Sequence, residues 1–155
     1  MNILTFDIEE WFHILDNDST KTEKEWSNYE SRIHQNMERI FSVLDSVNVR
    51  ASFFVLGWIA EKYPEVVREI SKRGYEIGSH TTLHQLVYEQ NREDFFQDVN
   101  RSIKTLEDIS GEKIRMFRAP GFSITEWPFG LEICISSVGN SKRRIGLGIT
   151  SLKRC

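Results

Sequence analysis

The stretch EIGSHTTLHQL holds two of the chain's four histidines, His80 and His84, four residues apart after a Gly-Ser. Two imidazoles at that spacing can point to one side of a turn and bind a single ion. Near the N-terminus, in TFDIEEWF, Asp7 and Glu9 stand two apart on an extended segment, so their side chains share a face. One of these carboxylates can complete a His-His-carboxylate set while the other stays free beside it. Three protein ligands leave a coordination position for water, as a hydrolytic metal site requires. The free carboxylate is then placed as a general base. Arg118, in FRAPGFS, is the cation that could orient it through a charge-assisted hydrogen bond.

Each motif alone also has a plain structural reading. A His-x3-His pair can be two polar residues of one loop, an acidic strand end can simply meet solvent, and an arginine can serve a structural ion pair. Their combination at the ends of the first, third and fourth strands is what favours the metal reading. Trp11, Phe12, Trp58 and Trp127 read as core or rim packing. His13 and His34 read as surface or partly buried groups and are assigned no role.

The elements that would position these residues alternate. NILTFD reads as a strand with an abrupt acidic end, and residues 30–47 as a helix with Ile33, Met37, Ile40, Phe41, Leu44 and Val47 on one face. ASFFVL is a continuous apolar strand of the kind buried on both faces. YPEVVREISKRG reads as a helix with Pro64 early and Gly74 as its stop. YEIGSH is a third strand. Residues 92–109 make a helix through Phe95, Phe96, Val99, Ile103 and Leu106, with Asn91 as its cap, and IRMFR is a fourth strand. Strand–helix alternation of this kind predicts an α/β architecture, parallel strands joined by crossover helices. In such sheets the strand C-termini open on one side, where active sites lie. Asp7 and Glu9, the two histidines and Arg118 all follow strand ends, so three segments distant in sequence meet in one mouth.

Composition narrows the classes. At 155 residues the chain fits one domain, and 39% hydrophobic with 28% charged residues is ordinary for a globular protein. A net charge of −3 argues against nucleic acid or an anionic membrane as partner. No apolar run approaches the roughly 20 residues of a membrane helix, and no secretory leader is seen, which places the protein in the cytoplasm by default. Cys134 and Cys155 form no disulfide framework and lie far from the histidines, so a thiolate zinc site is disfavoured. The texture changes near Pro128. Residues 129–155 hold one acid, Glu132, against five bases, and four of the nine glycines. They divide the chain into a domain at 1–128 and an atypical basic tail at 129–155.

At this point the residues resemble a known family. T-F-D near the N-terminus, then S-H-T-x-x-H, then F-R-A-P-G-F is similar to the polysaccharide deacetylases, the NodB-homology group of carbohydrate esterase family four. The connector ASFFVLGWIAEKYPEVVREISKRGYEIGSH looks like that family throughout, and the resemblance spans residues 3 to about 126. FDIEEWF is similar to the branch with Asp-Val-Glu-Asp-Trp/Tyr-Phe, tied to exopolysaccharide production. The resemblance implies a distorted (β/α) barrel and hydrolysis of N-acetyl groups on amino-sugar polysaccharide or oligosaccharide. It implies Asp7 as catalytic base, His80 and His84 as metal ligands, and Arg118 as the residue orienting the base. Pro120, Gly121 and Phe122 would shape the substrate groove. The implied cofactor is zinc or another divalent metal, polarising the amide carbonyl and lowering the pKa of its water toward ~7. Where the common T-F-D-D-G motif has its metal carboxylate, this chain has Ile8; Glu9 is the nearest candidate on the strand face and Glu10 the fallback.

The chain also departs from the family. The leaving amine is usually protonated by a histidine of a later leucine-histidine motif, backed by an aspartate, yet no histidine follows His84 and no aspartate follows Asp108. The family barrel has seven or eight strands, against four readable here. The expectation is therefore an incomplete barrel, truncated or altered in frame after about residue 128, with doubtful turnover. Its unpaired sheet edge predicts self-association. Two alternatives stand beside this: a catalytically dead sugar- or metal-binding module, and an amidase acting on a small C–N substrate such as a cyclic ureide.

Overall fold

The computed structural model describes residues 3–15, 17–20, 22–124 and 150–151. Four parallel strands form its centre: β1 (Thr5–Ile8), β2 (Ser52–Val55), β3 (Glu76–Ser79) and β4 (Met116–Phe117), side by side in chain order. A two-residue segment, β5 (Thr150–Ser151), pairs antiparallel with β4. The rest of the tail division at 129–155 lies outside the described residues. Between the strands run α1 (Glu23–Trp26), α2 (Ile33–Val47), α3 (Gly57–Lys62), α4 (Pro64–Lys72) and α5 (Arg92–Ser110).

β2 reads as a continuous apolar run because both its faces are covered. Phe53, Phe54 and Val55 are fully buried. The α2 face is formed by Ile33, Met37, Phe41 and Leu44, whereas Val47, expected on it, is exposed. Each such buried side chain contributes roughly 1.5–3 kcal/mol. On α5, Asn91 caps the first turn by accepting from the Asp94 N–H at 2.9 Å. Phe95, Val99, Ile103 and Leu106 face the core, and Phe96 is half-exposed.

Two short helices go beyond the sequence reading. α1 has four residues and α3 six, too few to show a period. Tyr63, at φ −132° and ψ 63°, separates α3 from α4, because the residue before a proline is pushed out of the helical region. The helix expected from residue 30 starts at Ile33 instead. The Glu10 carboxylate explains the later start: its Oε1 accepts from the N–H groups of Arg32 and Ile33 at 2.7 and 2.8 Å and from the Ser31 hydroxyl at 2.5 Å. It thus satisfies donors at the positive end of the helix.

The parallel register sets Asp7 opposite Phe54, and Phe54 opposite Gly78. A Cβ on Gly78 would lie 2.7 Å from the Phe54 ring, so a glycine is required there. All three strand ends that carry the candidate residues open on one side of the sheet.

Candidate metal centre

Glu9 follows β1, and His80 and His84 follow β3. One ligand atom from each lies within 4.8 Å of the others. His80 is buried, and its Nδ1 lies 2.8 Å from the carbonyl oxygen of Arg118. A carbonyl can only accept, so Nδ1 carries the proton and Nε2 presents its lone pair to the site. Burial pushes the His80 imidazole below its ordinary value, outweighing the opposing pull of Asp7, so the ring stays neutral as a ligand must. His84 brings Nε2 to 2.8 Å from Glu9 Oε2, yet that oxygen forms no hydrogen bond. Two imidazole nitrogens and one carboxylate oxygen form a set that could hold a divalent cation with a position left open.

The turn carrying the histidines is strained and heavily braced. Thr81 and His84 have φ of +66° and +53°, which is unusual for any non-glycine residue and costly for β-branched threonine. Asp98, buried on α5, accepts from the Thr82 N–H at 3.1 Å and the Leu83 N–H at 3.1 Å, and its own carbonyl accepts from the Thr82 hydroxyl at 2.8 Å. The Thr81 hydroxyl accepts from the His84 N–H at 3.1 Å, and the Thr81 carbonyl from the Gly57 N–H at 2.7 Å. Burial raises the Asp98 carboxyl against the lowering effect of these donors.

Asp7 stands beside the three ligands rather than among them. Its Oδ1 is 2.5 Å from Arg118 Nη1, and its Oδ2 is 4.0 Å from His80 Nε2. Arg118 Nη2 donates to Thr5 Oγ1 at 2.7 Å, and its guanidinium lies 4.2 Å from the centre of the Phe54 ring. Thr5 and Asp7, two apart on β1, thus offer the guanidinium two acceptors on one face.

The sequence-expected residues therefore divide cleanly. Asp7, Glu9, His80, His84 and Arg118 converge. Glu10 does not: it is buried and committed to the start of α2, which removes it as the fallback ligand. Pro120 is buried in a single helical turn over Pro120–Phe122, while Phe122 is 66% exposed with its ring near Arg118. Gly121 takes φ +57°, and a Cβ there would meet Leu15 and Leu86 at 2.9 Å. His34 is exposed beside Glu65, as expected of a surface group. His13 corrects the expectation, since it is 3% exposed and packed edge-on against Trp26 and Trp58. Sequence reasoning also missed Asp98, although an acid spaced with Phe95, Val99 and Ser102 on the apolar face of a helix was a legible signal.

The family profile described as polysaccharide deacetylase matches residues 3–127. A peptidoglycan-N-acetylglucosamine deacetylase of Bacillus cereus is 32% identical over 88 residues, covering 57% of this chain and 32% of that protein. A chitooligosaccharide deacetylase of Azorhizobium caulinodans is 32% identical over 82 residues, covering 52% and 39%. Among solved structures, a Mycobacterium smegmatis protein assigned to the polysaccharide deacetylases superposes with a TM-score of 0.66 at 27% identity, covering 80% of this chain and 44% of that one. The chain thus spans between about a third and a half of the length of these relatives.

Proposed function

The chain belongs to the polysaccharide deacetylase family, and from that membership we propose that it is a metal-dependent hydrolase removing N-acetyl groups from an amino-sugar polysaccharide or oligosaccharide. One observation carries the reading: an arginine-held carboxylate, Asp7, stands beside a separate ligand group, Glu9, His80 and His84, at one mouth of a parallel sheet. A base next to an open-coordinated cation is the minimum equipment for metal-assisted amide hydrolysis.

In this reading Glu9, His80 and His84 hold the cation, and a set of two imidazoles and one carboxylate favours zinc. When bound, the ion supplies Lewis-acid polarisation of the amide carbonyl and acidifies the attacking water. Asp7 accepts the water's proton on Oδ2, because Oδ1 is occupied by Arg118. Gly121 offers a backbone donor to the developing oxyanion. In its turn the N–H groups of Phe122 and Ser123 are already bonded to the carbonyls of Ala119 and Pro120, leaving the Gly121 N–H as the free one. Collapse breaks the C–N bond, giving acetate and an amine, and the proton taken by Asp7 is at hand for that amine. Exposed Phe122 and the Gly121 turn form the groove wall. The likeness of FDIEEWF to the branch tied to exopolysaccharide production favours a substrate of that class. Among the described residues no helix is long and apolar enough to cross a membrane.

Acetate release from N-acetylated chitooligosaccharides with added zinc tests this. A second reading is a sugar- or metal-binding module without turnover. Zinc and oligosaccharide binding with no acetate released, even from a longer chain carrying the full barrel, would favour it. Ring opening of a cyclic ureide to its ureido acid, with no acetate released from chitooligosaccharide, would point to the small-substrate amidase.

A further inference from the structure

His13 ends a short helical turn over Trp11–His13 and is assigned nothing by the reaction above. Its Nδ1 accepts from the Glu10 N–H at 3.0 Å, so in the neutral ring the proton sits on Nε2. That Nε2–H is buried and has no partner. Its ring centre lies 6.4 Å from that of His84. His84 turns Nε2 toward Glu9, and its Nδ1 is also buried without a partner. Both rings line one cavity of about 380 Å³, together with Leu83, Leu86 and Thr20.

Resting on the metal reading above, the tautomer of His84 follows. With Nε2 directed at the cation, Nδ1 carries the proton. Two neighbouring imidazoles that line one cavity then carry two buried N–H donors, and neither has an acceptor in the protein. A water holds two donors at once, and the cavity has ample room for it. Histidine ligands of metals nearly always donate their second N–H to some oxygen, which fixes the ring. We propose that His13 is a positioning residue for His84: one water in this cavity accepts from His13 Nε2–H and His84 Nδ1–H, locking the ligand ring at the angle that aims Nε2 at the cation.

A paired substitution separates this from simple packing. In His13→Asn the amide oxygen takes the place of Nδ1 and keeps the Glu10 N–H bonded, but the far donor is gone. In His13→Gln the amide nitrogen takes the place of Nε2 and keeps the far donor. Zinc affinity is measured by chelator competition in the full 155-residue chain, with circular dichroism checking the fold. The expected result is about a 10- to 100-fold weaker affinity in His13→Asn and near-normal affinity in His13→Gln. Equal affinity of wild type and His13→Asn would overturn the proposal, as would a folded His13→Gln that loses as much as His13→Asn. Wild-type protein that binds no zinc would instead remove the metal reading itself, and this inference with it.

Discussion

The carbonyl oxygen of Arg118 lies 2.8 Å from Nδ1 of His80, while the guanidinium of the same arginine holds Asp7 at 2.5 Å. One residue at the end of β4 therefore contacts a proposed metal ligand through its backbone and the proposed general base through its side chain. The two roles are separable, because every substitution keeps the carbonyl.

Arg118→Lys tests that separation. A lysine retains charge but loses the fork that reaches Asp7 and Thr5 together. Acetate release should fall by about 100-fold or more, since misplacing a base by a fraction of an ångström is costly. Zinc affinity should stay within a few-fold of wild type. A matching loss of zinc affinity would show that the side chain, not the carbonyl, supports His80.

Glu9 and Glu10 should separate in the same way. Glu9→Ala removes a proposed ligand and should lower bound zinc, measured by metal analysis after dialysis, with little effect on melting. Glu10→Ala strips the acceptor from Arg32, Ile33 and Ser31 and should cost about 2–3 kcal/mol of stability in urea melts, since it leaves backbone donors unpaired at the start of α2. Zinc bound by the folded fraction of Glu10→Ala should be normal.

Asp98→Ala should weaken zinc binding from a distance. Without its carboxylate the Thr82 and Leu83 N–H groups lose their acceptor, and the positive-φ backbone at Thr81 and His84 is free to relax. Roughly a 10- to 100-fold loss in zinc affinity is expected, comparable to removing the support of a ligand. Unchanged affinity would mean that the turn holds its shape alone.

Gly78→Ala places a methyl 2.7 Å from the Phe54 ring, the platform beneath Arg118. Overpacking of this kind costs about 1–3 kcal/mol. Thermal melting should register the loss, and acetate release should fall further than folding alone explains, because Arg118 moves with Phe54.

Acid should destabilise the metal-free protein partly through His13. Burial, aided by the neighbouring His84 and His80, pushes this imidazole from its ordinary 6.5 down to about 3. The folded ring is neutral, whereas the unfolded one gains a proton below 6.5. The unfolded chain therefore binds the extra proton between about pH 3 and 6.5, and stability rises with pH across that window. His13's contribution is fully present above 6.5 and lost as pH falls toward 3, with a slope of up to ~1.4 kcal/mol per pH unit. Urea midpoints at pH 7.5, 6, 5 and 4 in chelator should show a shallower dependence for His13→Asn than for wild type. Parallel curves would refute the assignment. Depressed by burial in the same way, His80 adds to the dependence in both proteins and cancels in their difference.

The sequence by itself determined the alternation of strands and long helices, the candidate residues for the site, and the side of the sheet on which they gather. Those features are local or periodic. Apolar spacing shows a helix face such as Ile33–Met37–Phe41–Leu44, and a polar residue at a strand end is visible in one dimension. What only the tertiary structure decided depends on contacts between distant segments. Glu9 and Glu10 are chemically equivalent neighbours in the chain, and the folded start of α2 alone commits Glu10 elsewhere. Asp98 meets the histidine turn only because α5 packs back across it. His13 is polar by composition yet buried, because Trp26 and Trp58 close around it beside His84. Side-chain type and spacing identify which groups could act; packing in three dimensions decides which of them face one another.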